Sequence, residues 1–137
     1  MAILTTAELT SQAKLSYGYG TYYIALLNNI AANYSGSTTY ASILTDEVVT
    51  GTGGYARLSF TYNPVDITAG TNGANIPPRV ATFVHDGGPD DLVFTHVALV
   101  RLFNSTYTLM AIESMGEAAT LSVGNTARIE LNFLHSN

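Results

Sequence analysis

Arg57 is the polar residue of this chain whose sequence surroundings limit its chemistry most, because it follows closely on the Gly53-Gly54 pair. A guanidinium there can hydrogen-bond loop carbonyls, pair with a carboxylate such as Asp46 or Glu47, or reach a neighbouring subunit through its planar fork. The two glycines resemble a phosphate-binding loop, but no Gly-Lys-Ser/Thr follows and a strand is predicted next. We therefore predict a tight turn at the glycines and a structural or interface role for Arg57, with ligand binding as the alternative.

The histidines and a cluster of aspartates are the residues that could hold a metal ion. His85 and His96 are eleven positions apart on separate predicted strands, and no His-x-His or His-x3-His spacing occurs. Asp86, Asp90 and Asp91 offer oxygen ligands suited to Ca²⁺, but their spacing lacks the EF-hand pattern and a solvated turn accounts for them. We expect neither a metal nor a cofactor, and we expect His96 to bond backbone or hydroxyl groups at a strand edge or interface.

No pattern typical of catalysis stands out. The chain contains no Gly-x-Ser-x-Gly nucleophile elbow. Two carboxylates on different strands could still approach as in glycoside hydrolases, so that chemistry stays open. Because no cluster of acid and base residues can be found, we expect the protein not to be an enzyme.

Nine tyrosines and no tryptophan make up an unusual aromatic set. Tyrosines can stack on sugars or act as rigid anchors in protein interfaces, but tryptophan is the better stacking residue for sugars. Tyr22 and Tyr23, at the end of a segment rich in Tyr and Gly, are predicted to be half core and half subunit contact.

Charge is scarce: only 11% of the residues are Asp, Glu, Lys or Arg, against about a quarter in ordinary soluble domains. Such a chain is expected to cover much of its surface with copies of itself or with partners. The five basic residues are scattered singly and the net charge is −5, which argues against nucleic-acid binding. The absence of cysteine excludes disulfides and leaves the compartment open.

The N-terminus and the hydropathy pattern bear on targeting. Met1 is not followed by a basic region, and the short apolar run after it is broken by threonines, unlike a signal peptide. No apolar stretch approaches the ~20 residues of a membrane span. We expect synthesis in a cytoplasm and no membrane insertion.

The elements that must position these side chains are mostly strands. A capping-box pattern at 5–8 predicts a short helix that Gly18 and Gly20 terminate. Strands are predicted over 22–27, 55–62, 79–85, 92–103, 107–114, 120–123 and 126–133. The segment 43–49 fits either a short helix or an edge strand, and 124–125 fits the turn of a tight hairpin.

The predicted fold is mainly β, an antiparallel β-sandwich or flattened barrel with a short N-terminal helix. One domain covers 1–137, with an N-terminal arm or helix over 1–16 and a long loop over 63–78. Both the arm and the loop are candidates for reaching neighbouring molecules.

Four motifs occur in a characteristic order along the chain: Tyr23–Leu27 on a strand, Gly53–Arg57 opening a strand, Thr95–Leu99 (Thr-His-Val-x-Leu) on another, and Val123–Thr126 at a turn. In this order they resemble a family of small virion proteins of tailed bacteriophages, of the tail-fibre, minor structural or head-decoration type. The family is known for building virions, so the resemblance implies no catalytic residues.

The resemblance implies a virion structural protein, in the first place a capsid cement or decoration protein. Copies would associate, as a homotrimer for example, and bind a major capsid or tail protein. The alternative is a short tail-fibre, neck or baseplate component, with receptor carbohydrate binding left open. The candidate interface or structural residues are Tyr22, Tyr23, Gly53, Gly54, Tyr55, Arg57 and His96.

Overall fold

A computed structural model describes residues 5–69 and 73–136. Among these residues, two α-helices and seven β-strands follow one another along the chain. They are α1 Thr6–Tyr17, β1 Thr21–Leu27, α2 Tyr40–Ile43, β2 Leu58–Phe60, β3 Thr68–Ala69, β4 Gly73–Val84, β5 Leu92–Phe103, β6 Thr106–Leu121 and β7 Thr126–Ser136. Single 3-10 turns occupy Thr52–Gly54 and Pro64–Asp66.

The strands form two antiparallel sheets. Sheet A has the order β2-β1-β5-β6, and sheet B has the order β3-β4-β7. Apolar side chains of both sheets meet in one core, among them Leu26 on β1, Leu99 on β5, Phe83 on β4 and Ile129 on β7. This sandwich-like arrangement confirms the predicted mainly β, antiparallel architecture with a short N-terminal helix.

Strand β1 is buried on both faces, as its continuous apolar sequence predicts. Ile24 and Leu26 point into the core between the sheets. Ala25 and Leu27 lie on the other face, where Ile43 of α2 packs on them in a second apolar cluster. Residues 28–46, which contain α2, therefore form a cover segment over the outer face of sheet A.

Helix α1 has the predicted caps. The Thr5 hydroxyl accepts the backbone N–H of Glu8 at 3.2 Å, and the N–H of Gly18 donates to the carbonyl of Lys14 at 2.9 Å. The helix contacts β3, β4 and β7, all in sheet B. Of the predicted N-terminal arm, residues 1–4 lie outside the described residues.

The prediction of a long loop over 63–78 is wrong, because β3 occupies Thr68–Ala69 and β4 begins at Gly73. Ala74 and Ile76 are buried there. Burial of their side chains favours a strand, although the Gly/Asn/Pro-rich composition of this segment is typical of a loop. Pro77 and Pro78 lie where the pairing of β4 with β7 shifts register, a place that tolerates the missing N–H. Residues 70–72 lie outside the described residues.

The prediction of a tight hairpin at Gly124-Asn125 is also wrong, although the chain does turn at these residues. Gly124 has a φ of 82°, and the N–H of Asn125 donates to the carbonyl of Ser122 at 3.0 Å. The chain passes here from β6 in sheet A to β7 in sheet B, and these two strands do not pair in the described sheets. Turn chemistry fixes a chain reversal but not whether the flanking strands share a sheet.

A tight hairpin lies between β5 and β6, across Asn104-Ser105. Both turn residues have positive φ, 49° and 63°, as a two-residue hairpin turn requires. The strand predicted over 92–103 is confirmed as β5. The two strands predicted over 107–114 and 120–123 are instead parts of one strand, β6, in which 115–118 bulge out where the pairing shifts between Phe94 and His96.

Sheet A ends at a shorter strand than predicted. Of the segment 55–62, the residues Leu58–Phe60 form β2, paired with β1. Tyr55, one of the candidate interface or structural residues, is only 2% exposed. The segment 43–49, left open between helix and edge strand, is neither: α2 ends at its first residue, Ile43, and Glu47 makes an isolated antiparallel bridge with Leu27.

Candidate functional site

Arg57 and Glu47 form a two-pronged ion pair at the junction between the cover segment and sheet A. Nε of Arg57 donates to Oε2 of Glu47 and Nη2 donates to Oε1, each at 2.7 Å. The two side chains are only 21% and 15% exposed. Of the carboxylates considered for Arg57 from the sequence, Glu47 is thus its partner, in the geometry that makes such pairs strong.

Tyr55 connects this ion pair to the centre of sheet A. Its hydroxyl donates to Oε2 of Glu47 at 2.8 Å and accepts the backbone N–H of Leu26 at 3.0 Å. The buried hydroxyl is therefore satisfied on both sides. Cover segment, ion pair and strand β1 are joined in one hydrogen-bonded unit.

Aromatic rings surround the guanidinium of Arg57. Its Cζ lies 5.5 Å from the ring centre of Tyr40 and 5.9 Å from that of Tyr107, and Nη1 donates to the Tyr40 hydroxyl at 3.2 Å. Tyr40 and Tyr107 stack on each other, and Tyr23 tilts against Tyr107 at 6.3 Å. Tyr23 therefore belongs to this cluster, whereas Tyr22 is fully buried in the core between the sheets.

The ionisation of the cluster follows from these contacts. Burial opposes ionisation of Glu47, but the hydrogen bonds from Arg57 and Tyr55 and the charge of Arg57 outweigh it and lower the pKa of Glu47. The hydrogen bonds to Glu47 raise the pKa of Arg57 despite burial. Burial, with the adjacent Glu47 carboxylate, raises the pKa of the Tyr55 hydroxyl. At neutral pH the cluster is a closed carboxylate–guanidinium pair with a neutral phenol.

Gly53 and Gly54 form the predicted tight turn, with φ of 56° and 78°. A Cβ at Gly53 would lie 2.8 Å from Cδ2 of His85, and one at Gly54 would overlap the carboxylate of Asp86. Both glycines are needed for this close approach as well as for the backbone conformation. They lie beside the Arg57 cluster in sequence and fasten its chain segment to the end of β4.

His85 is a structural residue whose environment the sequence prediction missed. It is 2% exposed, its Nδ1 accepts the N–H of Gly87 at 3.3 Å, and its Nε2 lies 2.7 Å from the carbonyl of Asp90. These partners correspond to a neutral ring protonated at Nε2, which holds the turn after β4. The alternation of buried Ala81 and Phe83 continues to position 85 and could have placed this ring in the core.

His96 lies in a second polar cluster on the outer face of sheet A. Its Nδ1 is 2.9 Å from Oγ1 of Thr95, which also accepts the N–H of Asn29 at 2.9 Å. Burial lowers the pKa of His96, against the opposing effect of the Asp46 charge, so the imidazole is neutral at pH 7. Thr95, the residue before His96 in the sequence, thus supplies the hydroxyl partner expected for His96.

Tyr34 and Asp46 complete this second cluster. The Tyr34 hydroxyl donates to Oδ2 of Asp46 at 2.7 Å, and the Asn29 amide donates to Oδ1 at 2.9 Å. The Tyr34 ring meets that of His96 edge-on at 4.8 Å. Burial and the Asp46 carboxylate raise the pKa of Tyr34. Asn29 and Tyr34 carried no signal in the sequence, since they lie in a polar loop.

A cleft of about 520 Å³ opens above His96, between the loop 32–38 and strand β6. Its lining has no Asp, Glu, Lys or Arg and combines hydroxyl, amide and apolar groups: Ala32, Asn33, Tyr34, Ser35, Gly36, Thr38, His96, Leu109, Met110, Ala111, Ile112 and Ser114. Such a lining fits a neutral ligand with hydrogen-bonding groups.

The aspartates considered as Ca²⁺ ligands take part in the turn after β4. The Asp86 carboxylate lies against Gly54, and Asp90 contributes its carbonyl to His85. In the part of the chain that the structure describes, no three His, Asp or Glu side chains lie close enough together to hold a metal ion.

Comparison of the chain with protein-family models, with curated proteins and with solved structures finds no match in any of the three. The resemblance to tailed-phage virion proteins therefore depends on the motifs of this sequence. Neither α1 nor any other helix of the described residues has the length and apolar character needed to cross a membrane.

Proposed function

We propose that this chain is a structural protein of a bacteriophage virion, a capsid cement or decoration protein that acts as a homo-oligomer bound to a major virion protein. The ordered motifs from Tyr23–Leu27 to Val123–Thr126 support the virion assignment. The scarcity of charge supports a surface covered by partners.

The observation that carries the proposal is the edge of sheet A. Strand β6 is sixteen residues long and, within the described sheets, pairs with β5 alone. Its only charged residues are Glu113 and Glu117. Proteins that stay monomeric protect such edges with short strands, lysines, prolines or covering segments. A long edge with two charges is instead suited to contact with another protein.

The mechanism is burial of weakly charged β surface. Exposed apolar side chains on or near this edge, such as Phe103 and Tyr107, would be removed from water when the contact forms. Each 100 Å² of apolar area buried contributes about 2.5 kcal/mol before the cost of association is subtracted. A cement protein adds this free energy between shell subunits and so resists disassembly of the particle.

Copy number in purified phage particles tests the proposal. Hundreds of copies per particle, counted against the major capsid protein, are expected for a cement protein. A handful of copies would support the neck or tail alternative, and absence from the particle would refute a virion role.

A substitution on β6 tests the edge itself. Thr108→Lys adds a cation at an exposed position of β6 and is expected to reduce oligomer mass and particle occupancy. Thr50→Lys adds the same charge at an exposed turn position away from the strands and is the matched control. Equal occupancy of the two variants would show that β6 is not the contact edge.

Receptor binding is the second candidate function, and the uncharged cleft above His96 is the feature that favours it. Its amide and hydroxyl groups, with Leu109 and Ile112 beside them, match the mixed surface of a neutral sugar. Sub-millimolar binding on a glycan array would favour this function. If no glycan binds, assembly is the function that the proposal retains.

A further inference from the structure

We propose that copies of this chain join edge to edge, with β6 of one copy pairing with β7 of the next to form a closed ring. The inference rests on the homo-oligomer of the proposed function but not on its virion location. The occupant of each free edge is a second copy of this chain.

Two long strands form edges of the described sheets. β6 ends sheet A, and β7, eleven residues long, ends sheet B. The opposite edge strands, β2 and β3, have three and two residues, and β3 pairs only with Ala74 and Asn75, which leaves the rest of β4 without a strand on that side. We take β6 and β7 as the contact edges, because each is an edge along its whole length.

The two long edges lie on the same side because the chain connects them directly. Only residues 122–125 join β6 to β7, and a link of four residues spans at most ~14 Å, little more than the ~10 Å between packed sheets. Leu121, at the end of β6, and Ile129 on β7 contribute to the same core. Each copy thus presents two neighbouring strands of roughly opposite direction.

This arrangement favours a ring over a two-fold dimer of like edges. Rotation about an axis parallel to the strands keeps their directions, so β6 of one copy meets β7 of the next antiparallel, as in both existing sheets. Each contact would extend sheet A of one copy into sheet B of its neighbour. A head-to-tail contact that closes gives a cyclic oligomer, of which a homotrimer is one example.

Charge complementarity also favours unlike edges. β6 carries carboxylates and no basic residue, whereas β7 carries Arg128. Arg128 contacts Glu130 at 3.8 Å with the two side chains 66% and 50% exposed, so the guanidinium is accessible to a partner. A β6–β6 contact would offer only carboxylates to each other.

Charge favours one register of this contact. The pairing of β6 with β5 shifts at Met110 and again at 115–118, so the regular parts of β6 are 106–109 and 111–114. Glu113 lies in the second regular part, and β7 carries Arg128. A register that places Glu113 opposite Arg128 pairs these opposite charges, and it is the register to test.

Cysteine cross-linking tests the contact, because the native chain contains no cysteine. The variants Glu113→Cys and Arg128→Cys are purified separately, mixed and oxidised, with a size tag on one of them. Directly opposed residues of adjacent antiparallel strands lie within the Cα distance that a disulfide spans. We expect a disulfide between residues 113 and 128 of different chains, identified by peptide mass, and none when Thr50→Cys replaces either variant.

The outcomes separate this inference from the proposed function. A disulfide between two residues 113 would identify a two-fold β6 contact and overturn the ring. A monomeric mass, with cross-linking no greater than that of Thr50→Cys, would overturn both the contact and the homo-oligomer. The 113–128 disulfide in a protein that is absent from phage particles would sustain the contact and refute the virion role.

Discussion

Removal of the Arg57 guanidinium tests whether the ion pair holds the cover segment on sheet A. Arg57→Ala leaves the Glu47 carboxylate with the Tyr55 hydroxyl as its side-chain hydrogen-bond donor among the described residues, at a site where Glu47 is 15% exposed. The variant also loses the contacts with the rings of Tyr40 and Tyr107. An anion deprived of its counter-charge in a mostly buried site is the main source of the cost.

The magnitude follows from the burial of the pair. Breaking a fully buried ion pair costs about 3 to 5 kcal/mol, and exposed pairs contribute about 0 to 1 kcal/mol. With side chains 21% and 15% exposed, the pair lies nearer the buried case, so we expect a loss of about 3 kcal/mol. For a chain of this length that corresponds to a fall in Tm of about 10 °C.

Denaturant and thermal unfolding measure this loss, with every variant at the same protein concentration because association shifts apparent stability. Lys14→Ala removes an exposed cation from α1 and should change stability by no more than about 0.5 kcal/mol. Arg57→Lys keeps the charge without the planar fork and should fall between the two. If Arg57→Ala costs no more than Lys14→Ala, the argument from burial and geometry is refuted.

Two further predictions concern the turn at Gly53 and the titration of the clusters. Gly53→Ala should destabilise the fold by about 2 kcal/mol, since its positive φ and the nearby His85 ring both oppose a Cβ, whereas Gly36→Ala, with open space around it, should be nearly neutral in the same unfolding assay. The pKa of Glu47 is lowered in the folded protein, so Glu47 contributes fully to the free energy of unfolding above its usual pKa of 4.5, and this contribution is lost as pH falls through the folded pKa. The pKa of Tyr55 is raised in the folded protein, so the free energy of unfolding falls as pH rises above 10. The free energy of unfolding is measured from pH 2 to 11 for the native chain and for Arg57→Ala. If both lose stability equally steeply on the acid side, the prediction for Glu47 is contradicted.

The sequence predicts strands from local alternation, and this succeeds where side chains alone decide. β1 and β5 follow from their apolar runs, and α1 follows from the Thr5 cap. The same reasoning fails at Gly124-Asn125, because the choice of sheet for β6 and β7 depends on long-range pairing with β5 and β4. Local turn propensity contains no information about that choice.

The site was predictable to a similar degree. The sequence predicts that Asp46 or Glu47 can be the carboxylate partner of Arg57, because a guanidinium of low exposure requires a counter-charge. The selection of Glu47 depends on its bridge to Leu27, which orients its side chain toward Tyr55. The cluster of Tyr34 with His96 depends on the path of the cover segment across sheet A, which no local pattern specifies.

The placement of the arginines makes the surface poorer in cations than the composition suggests. Arg57, Arg79 and Arg101 each lie within 6 Å of an aromatic ring centre, and Arg57 is also paired with Glu47. Of the five basic residues, Lys14 and Arg128 remain, and Arg128 is the one on a strand at the edge of a sheet. Among the edge strands β2, β3, β6 and β7, Arg128 is the one basic residue. For this reason we place the proposed contact at β7 and expect Arg128, more than any other basic residue, to set its register.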